Sequence, residues 1–197
     1  MKKKKQQVPS KFPINLSIQN CKIALVGEAP GQLEEELNEP FVGRAGKLLN
    51  RLLKDATIDR DECYITNVFK ERPENNKIDK FFISRRQLVV ENEDLHTYGT
   101  PFKTFYLDKQ YNKYLTMLHR ELTEINPAVI IALGAIPLWA FTGRSDISTA
   151  RGISLLWNNI PLIATFHPAY LLHGNMGHKD KVVADLGMAK SVANGTK

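Results

Sequence analysis

The stretch Lys22-Ile-Ala-Leu-Val-Gly-Glu-Ala-Pro-Gly31 decides the fold class of this chain. Lys22 to Gly27 is a short apolar run that ends in glycine and lacks the polar alternation of a half-buried strand. Such a run is typical of a central β-strand that is covered on both faces. The residues that follow Gly27 include proline and glycine and therefore predict a tight turn.

Strands and helices alternate along the rest of the chain. Leucines recur at helical spacing between Ala45 and Ala56, and a second apolar face runs from Tyr111 to Ile125, where Pro127 ends the helix. We expect further strands at 63–69, 128–133 and 161–166, and further helices at 135–142 and 179–193. This alternation predicts an α/β fold: a single three-layer α/β/α domain with a central, mostly parallel, four-stranded sheet.

Two segments fall outside this alternation. Residues 1–20 lack periodicity and carry the run Lys2–Lys5, so we expect a flexible basic leader before a domain that spans 21–197. Residues 74–108 mix charged and aromatic side chains without a clean period, and we interpret them as an insertion. Its aromatic residues either pack against the fold or form a contact surface for DNA or protein.

Composition restricts the class of protein. The chain is 43% hydrophobic and 24% charged, which is typical of a globular protein. Its formal net charge of +6 weakly favours a polyanionic partner, since phosphate contacts release counterions. No apolar stretch approaches the roughly 20 residues of a membrane span, and none follows the basic start as in a signal peptide. The two cysteines, Cys21 and Cys63, lie beside predicted strands, so we expect reduced core thiols in a cytoplasmic protein. We also expect a monomer, from a bacterium or from a bacterial host cell if a virus encodes the protein.

Three distant stretches should meet at one edge of the sheet. The turn Gly27–Gly31, Asn67 and the pair His167-Pro168 each follow a predicted strand. Because ligands of parallel α/β sheets bind at the carboxyl ends of the strands, we expect these stretches to line one crevice.

Four blocks of sequence indicate the function. They are Gly27-Glu-Ala-Pro-Gly-Gln-Leu-Glu34 with Pro40-Phe-Val-Gly-Arg-Ala-Gly46, Tyr64-Ile-Thr-Asn-Val-Phe-Lys-Glu-Arg-Pro73, Pro127-Ala-Val-Ile-Ile-Ala-Leu-Gly134, and Thr165-Phe-His-Pro-Ala-Tyr-Leu-Leu172. In this order they resemble the motifs of the family 4 enzymes of the uracil-DNA glycosylase superfamily. The resemblance implies hydrolysis of the N-glycosidic bond of a flipped uracil in single- or double-stranded DNA, with free uracil and an abasic site as products.

The reaction needs a pocket for the base, and the resemblance assigns residues to it. Phe41 is expected to stack on the base, beside Ala29 and Gly31. Asn67 is expected to read the uracil edge, because its amide can accept from N3–H and donate to O4, a pattern that cytosine does not match. His167 is expected to donate to uracil O2, where negative charge develops as the bond breaks.

A carboxylate should hold the attacking water and favour the cationic sugar. The superfamily's best-known branch has an aspartate where this chain has Ala29, so another residue must take this role. Glu28 and Glu34 are the catalytic candidates that the resemblance implies, and the sequence leaves open which of them dominates.

Contacts to DNA are expected from two kinds of side chain. Leu171 and Leu172 are candidates for a wedge that enters the minor groove and fills the gap left by the flipped base. Arg72, Arg151 and Arg144 are candidates for phosphate contacts.

The chain departs from the family pattern at the cofactor. Family 4 enzymes hold a [4Fe-4S] cluster with four cysteines, whereas this chain has two, and the family's Lys-Cys-Arg-Pro reads here as Lys70-Glu71-Arg72-Pro73. We therefore predict a variant without the cluster and without any other metal or cofactor. Loss of the cluster and the open choice of the water-holding carboxylate leave one alternative: a non-catalytic accessory protein that binds DNA and retains the pocket. The sequence also leaves open an enzyme for hypoxanthine, xanthine or a 5-substituted uracil, because it does not reveal the depth of the pocket or the stacking geometry.

Overall fold

A five-stranded sheet lies at the centre of the computed structural model, which describes residues 7–11, 21–84, 86 and 105–195. Within these residues the strands are β1 (Ile23–Gly27), β2 (Cys63–Asn67), β3 (Phe82–Ser84), β4 (Phe105–Leu107), β5 (Val129–Leu133), β6 (Ser154–Trp157) and β7 (Ile160–Thr165). The central sheet has the order β2-β1-β5-β7-β6, and β3 and β4 form a separate antiparallel pair. All pairings in the central sheet are parallel except that of β6 with β7.

Helices cover both faces of the central sheet. They are α1 (Gln32–Leu37), α2 (Arg44–Asp55), α3 (Asn112–Ile125), α4 (Ala135–Thr142), α5 (Ile147–Ala150), α6 (Pro168–Tyr170) and α7 (Lys179–Ala193). Ile23 and Leu25 of β1 point into a core that contains the leucines of α2 and Leu186 of α7. Ala24 and Val26 point into a second core with α3 and α4. The sheet therefore has a core and a layer of helices on each face, which confirms the predicted α/β/α fold.

The predicted strand count is wrong by one. Ser154–Trp157 forms an edge strand that pairs only with β7, and most of its side chains are partly or fully exposed. Its short run lacks the uniform burial of the four central strands, so the apolar pattern does not reveal it. The signal that does is Asn158-Asn159, where both residues have positive φ (47° and 66°), as tight two-residue hairpin turns require.

Part of the predicted leader packs against the domain. The N–H of Lys11 donates to Ile65 O (2.7 Å) and the N–H of Ile65 donates to Lys11 O (2.9 Å), so this segment satisfies the free edge of β2. Val8 is buried, and its N–H donates to Lys70 O (2.7 Å). The prediction of a flexible leader is therefore wrong for residues 7–11, while the lysine run and residues 12–20 lie outside the described residues.

The ends of the predicted insertion join the aromatic core. Phe81 and Phe82 are buried and contact Phe69, with ring centroids at 4.5 and 6.1 Å. Phe105, on the paired strand β4, is exposed. The insertion thus begins by packing against the fold, and residues 87–104 lie outside the described residues. Among the helices that the structure describes, none has both the length and the apolar composition of a membrane-spanning segment.

Candidate active site

The carboxyl ends of the parallel strands meet at one pocket. Gly27 at the end of β1 is in register with Asn67 at the end of β2, and His167 lies two residues beyond the end of β7. The pocket has a volume of about 240 Å³. All the residues that the sequence assigns to catalysis or base binding line it: Glu28, Ala29, Gly31, Glu34, Phe41, Asn67 and His167. The expected convergence of three distant segments is therefore observed.

Gly27 allows the two base-contacting side chains to meet. A Cβ atom on Gly27 would lie 2.4 Å from both Asn67 Oδ1 and Phe41 Cζ. Neither distance is compatible with a side chain at position 27. The ring and the amide can therefore reach the same part of the pocket only because the strand ends in glycine.

His167 is held as a neutral donor. Its Nδ1 accepts a hydrogen bond from the N–H of Ala169 (3.1 Å), which leaves the proton on Nε2. Burial lowers the pKa of the His167 imidazole to about 4, so the ring is uncharged at neutral pH. The ring lies 5.9 Å from the ring of Phe41, centroid to centroid.

Phe41 has a backbone conformation that is rare for a bulky residue. Its φ is 55°, in the left-handed region, which costs about 1–3 kcal/mol and persists only when the surroundings enforce it. Gly46 permits this conformation to pack against α2, because a Cβ atom there would lie 1.8 Å from Phe41 O. The first turn of α2 can therefore approach the Phe41 carbonyl only with glycine at position 46.

The two candidate glutamates differ in their surroundings. Glu34 is buried, and its Oε1 accepts hydrogen bonds from the N–H groups of Val42 (3.1 Å) and Gly43 (2.8 Å). Within the described residues, the Glu28 carboxylate accepts no hydrogen bond, and burial raises its pKa to about 7. The Glu34 carboxylate is thus hydrogen-bonded to the turn after Phe41, whereas Glu28 lines the pocket and its carboxylate oxygens accept no hydrogen bond from the described residues.

The residues expected to contact DNA lie in different surroundings. Leu171 is fully buried in the core, so its assignment as a wedge is wrong, while Leu172 is 37% exposed on the same turn. Arg151 makes two hydrogen bonds to Asp185 (3.0 and 2.6 Å), a buried carboxylate that also accepts from Thr165. Arg151 is therefore a structural partner of α7, which contradicts its assignment as a phosphate contact.

The other arginines differ in whether they lie at the pocket. Arg72 donates to Asn76 Oδ1 (2.7 Å), and Asn76 itself lines the pocket. Arg144 is paired with Asp146 outside the pocket lining. The exposed Arg44, to which the sequence motifs gave no role, lines the pocket at the start of α2. Its position inside the block Pro40 to Gly46 was the signal that could have identified it.

The cysteines do not fit a four-cysteine cluster. Cys21 and Cys63 are buried, and their thiols donate to backbone carbonyls. They line a separate cleft of about 780 Å³ at the amino-terminal ends of β1 and β2, away from the base pocket. At the family's cysteine position, the Glu71 carboxylate accepts a hydrogen bond from the Tyr114 hydroxyl (2.7 Å). Among the described residues, no group of three or more side chains is arranged to hold a metal ion.

Comparison with known proteins gives a consistent result. The family model of the uracil DNA glycosylase superfamily matches residues 14–187. The chain is 34% identical over 176 residues to the type-4 uracil-DNA glycosylase of Thermotoga maritima, covering 87% of this chain and 78% of the relative. It is also 34% identical to the type-4 uracil-DNA glycosylase of Sulfurisphaera tokodaii, covering 78% of this chain and 62% of the relative. It is 32% identical to the type-4 uracil-DNA glycosylase of Archaeoglobus fulgidus, covering 79% of this chain and 69% of the relative.

The matched region contains every pocket residue described above. Pocket geometry and sequence similarity therefore agree, and they confirm the resemblance seen in the sequence motifs. The chain belongs to the uracil-DNA glycosylase superfamily.

Proposed function

We propose that this protein removes uracil from DNA by hydrolysing the bond between uracil N1 and C1′ of deoxyribose, leaving an abasic site. The observation that carries the proposal is the arrangement of Phe41, Asn67 and His167 around one pocket at the carboxyl ends of β1, β2 and β7. The relatives bear the name type-4 uracil-DNA glycosylase, which supports the same reaction.

Recognition of the base uses a ring and an amide. The flipped uracil stacks on Phe41, and Asn67 accepts from N3–H and donates to O4. The backbone of Ala29 and Gly31 borders the pocket next to these side chains. Cytosine is rejected because its bare N3 and its amino group do not match the amide of Asn67.

Bond cleavage is assisted by His167. As the N1–C1′ bond breaks, its electron pair moves into the uracil ring and negative charge develops on O2. The Nε2–H of the neutral imidazole donates to this oxygen, so it stabilises a charge that exists mainly in the transition state. A cationic imidazole is not required, since a preorganised neutral donor of this kind contributes about 2.7 to 4 kcal/mol.

Glu28 is the residue that we assign to the attacking water. Its carboxylate stabilises the cationic sugar and accepts a proton from the water as the oxygen bonds to C1′. A raised pKa near neutrality makes Glu28 a better proton acceptor at neutral pH than an ordinary glutamate. This free carboxylate removes one of the two reasons for a non-catalytic DNA-binding protein, namely the open choice of the water-holding carboxylate.

We further propose that the enzyme works without the iron-sulfur cluster, as a monomer, on single- or double-stranded DNA. The whole chain has two cysteines, half of what a four-cysteine cluster needs. Iron analysis and the visible absorption spectrum of protein purified without oxygen test the first point. Protein-bound iron with an absorption band of a cluster would contradict it.

The central experiment uses an oligonucleotide with one uracil. The protein is incubated with the DNA, which is then heated in alkali to break abasic sites. We expect cleavage at the uracil with the wild-type protein and much slower cleavage with Asn67→Ala. DNA that is bound but not cleaved would instead indicate the accessory protein. A parallel panel with hypoxanthine, xanthine and 5-substituted uracils tests the choice of base.

A further inference from the structure

Arg60 contacts the base-stacking turn but has no role in the function proposed so far. The turn comprises residues 40–43, and Arg60 begins a short 3-10 helix just before β2. Its Nη2 donates to Pro40 O (3.1 Å) and to Phe41 O (3.3 Å). One guanidinium nitrogen therefore holds the carbonyls on both sides of the Phe41 Cα atom.

These two carbonyls determine the backbone angles of Phe41. The peptide plane between Pro40 and Phe41 sets φ, and the plane between Phe41 and Val42 sets ψ. Arg60 binds the carbonyl of each plane, while Glu34 binds the N–H of Val42 in the second plane. The second plane is thus held at both ends, by a cation on its carbonyl and an anion on its N–H.

The left-handed φ of Phe41 makes such restraint necessary. A bulky residue leaves this region unless its surroundings oppose the relaxation, and a change of φ would change the direction of the Phe41 side chain. Arg60 also lies on the segment that leads into β2, which ends at Asn67. It therefore ties the ring that stacks on the base to the strand that carries the edge-reading amide.

The hydrogen bonds of Arg60 go to backbone carbonyls, although the carboxylates of Glu39 and Asp61 are near enough to act on its charge. Within the described residues it forms no salt bridge, and its Nη1 is buried without a hydrogen-bond partner.

We propose that Arg60 is a positioning residue that, together with Glu34, locks the strained turn at Phe41 and so aims the stacking ring at the flipped base. The inference rests on the proposed function, because it assumes that Phe41 stacks on the base. Arg60 contacts neither the base nor the reacting atoms, and it acts through Phe41.

A double-mutant cycle tests this role. The Arg60→Ala variant should lower kcat/KM for a uracil oligonucleotide by about 10²-fold, the loss expected when a reactive group is displaced by about 1 Å. In a Phe41→Ala background the same change should have almost no further effect, since there is no ring to aim. Arg60→Lys keeps a cationic donor and should recover most of the activity. The matched control is Arg51→Ala, which removes an exposed arginine of α2 and should retain wild-type activity.

Binding measurements separate this inference from the proposed function. Affinity is measured for two duplexes, one with a non-hydrolysable deoxyuridine analogue and one with an abasic-site analogue. Arg60→Ala should weaken binding of the first duplex and leave the second unchanged, because only the first has a base to stack. This readout remains valid if the wild-type protein proves unable to cleave uracil DNA.

Two results would overturn the role of Arg60. One is an equal loss of activity from Arg60→Ala with and without the Phe41 ring. The other is equal weakening of both duplexes, which indicates a general loss of folded protein or of DNA contacts. Thermal melting of each variant is measured alongside. If Arg60→Ala does not fold, the cycle is run with Arg60→Lys. The smaller loss of kcat/KM caused by Arg60→Lys should then vanish in the Phe41→Ala background.

Discussion

Replacing Glu28 with glutamine should stabilise the protein and inactivate it at the same time. Burial raises the pKa of Glu28 from 4.5 to about 7. One pKa unit corresponds to 1.36 kcal/mol, so the ionised carboxylate lowers the free energy of unfolding by about 3 kcal/mol once the pH is well above 7. Glutamine has nearly the same shape and no charge, and it therefore avoids this cost.

The sign of the effect depends on pH. A carboxyl group whose pKa is higher in the folded state contributes stability that is fully present below pH 4.5 and is lost as the pH rises through about 7. Urea unfolding at pH 5 and at pH 8 should therefore show a small difference between Glu28→Gln and wild type at pH 5. At pH 8 the variant should be more stable by up to about 3 kcal/mol.

The activity should change in the opposite direction. Without a carboxylate at position 28, the rate of uracil release should fall by about 10²- to 10⁴-fold. The wild-type rate should rise with pH through about 7, as Glu28 becomes ionised, and the residual rate of the variant should lack this rise. Single-turnover kinetics across this pH range measure both effects.

Glu34→Gln is the matched control. Oε1 of its carboxylate accepts hydrogen bonds from two backbone N–H groups. An amide oxygen can still accept both, but without the negative charge, so stability should fall by about 1 kcal/mol at both pH values. Our assignment of the two glutamates would be refuted if Glu28→Gln kept the wild-type rate, or if its stability difference from wild type were the same at pH 5 and pH 8.

Three further changes test the pocket and the wedge. Gly27→Ala would place a methyl group 2.4 Å from both the ring of Phe41 and the amide of Asn67. We expect loss of binding to uracil-analogue DNA, and unchanged binding would contradict the close packing. His167→Gln should lower kcat by about 10²- to 10³-fold. Because the pKa of His167 is depressed to about 4, its contribution to stability is present above pH 6.5 and lost towards pH 4, so the variant should lose less stability than wild type on acidification. Leu172→Ala should slow uracil release from duplex DNA more than from single-stranded DNA, and an equal effect on both substrates would argue against a wedge.

The sequence alone determines the main elements because each carries its own periodic signal. The bounds of the helices Ala135–Thr142 and Lys179–Ala193 agree with the prediction, and the four central strands agree to within two residues at either end. The turn after β1 also shows up as a local signal, whereas most pocket residues were assigned by the resemblance of four sequence blocks to a known family. The elements and this turn are local features, since they depend on apolar spacing, turn residues and the order of strands and helices.

The tertiary structure decides what depends on partners from distant segments. Leu171 and Leu172 are adjacent and chemically identical, yet only the first is buried in the core. Arg151 is committed to Asp185, 34 positions away, and no local pattern predicts that pairing.

The same limit applies to the two glutamates. Glu28 and Glu34 lie in one motif, and their roles separate only because the chain folds Val42 and Gly43 onto the carboxylate of the second. Element order therefore predicted that three segments meet at one edge of the sheet, and the resemblance to a known family assigned the pocket side chains. Burial and hydrogen bonding across the folded chain decided which of them remain free to act, because both depend on neighbours that are distant in sequence.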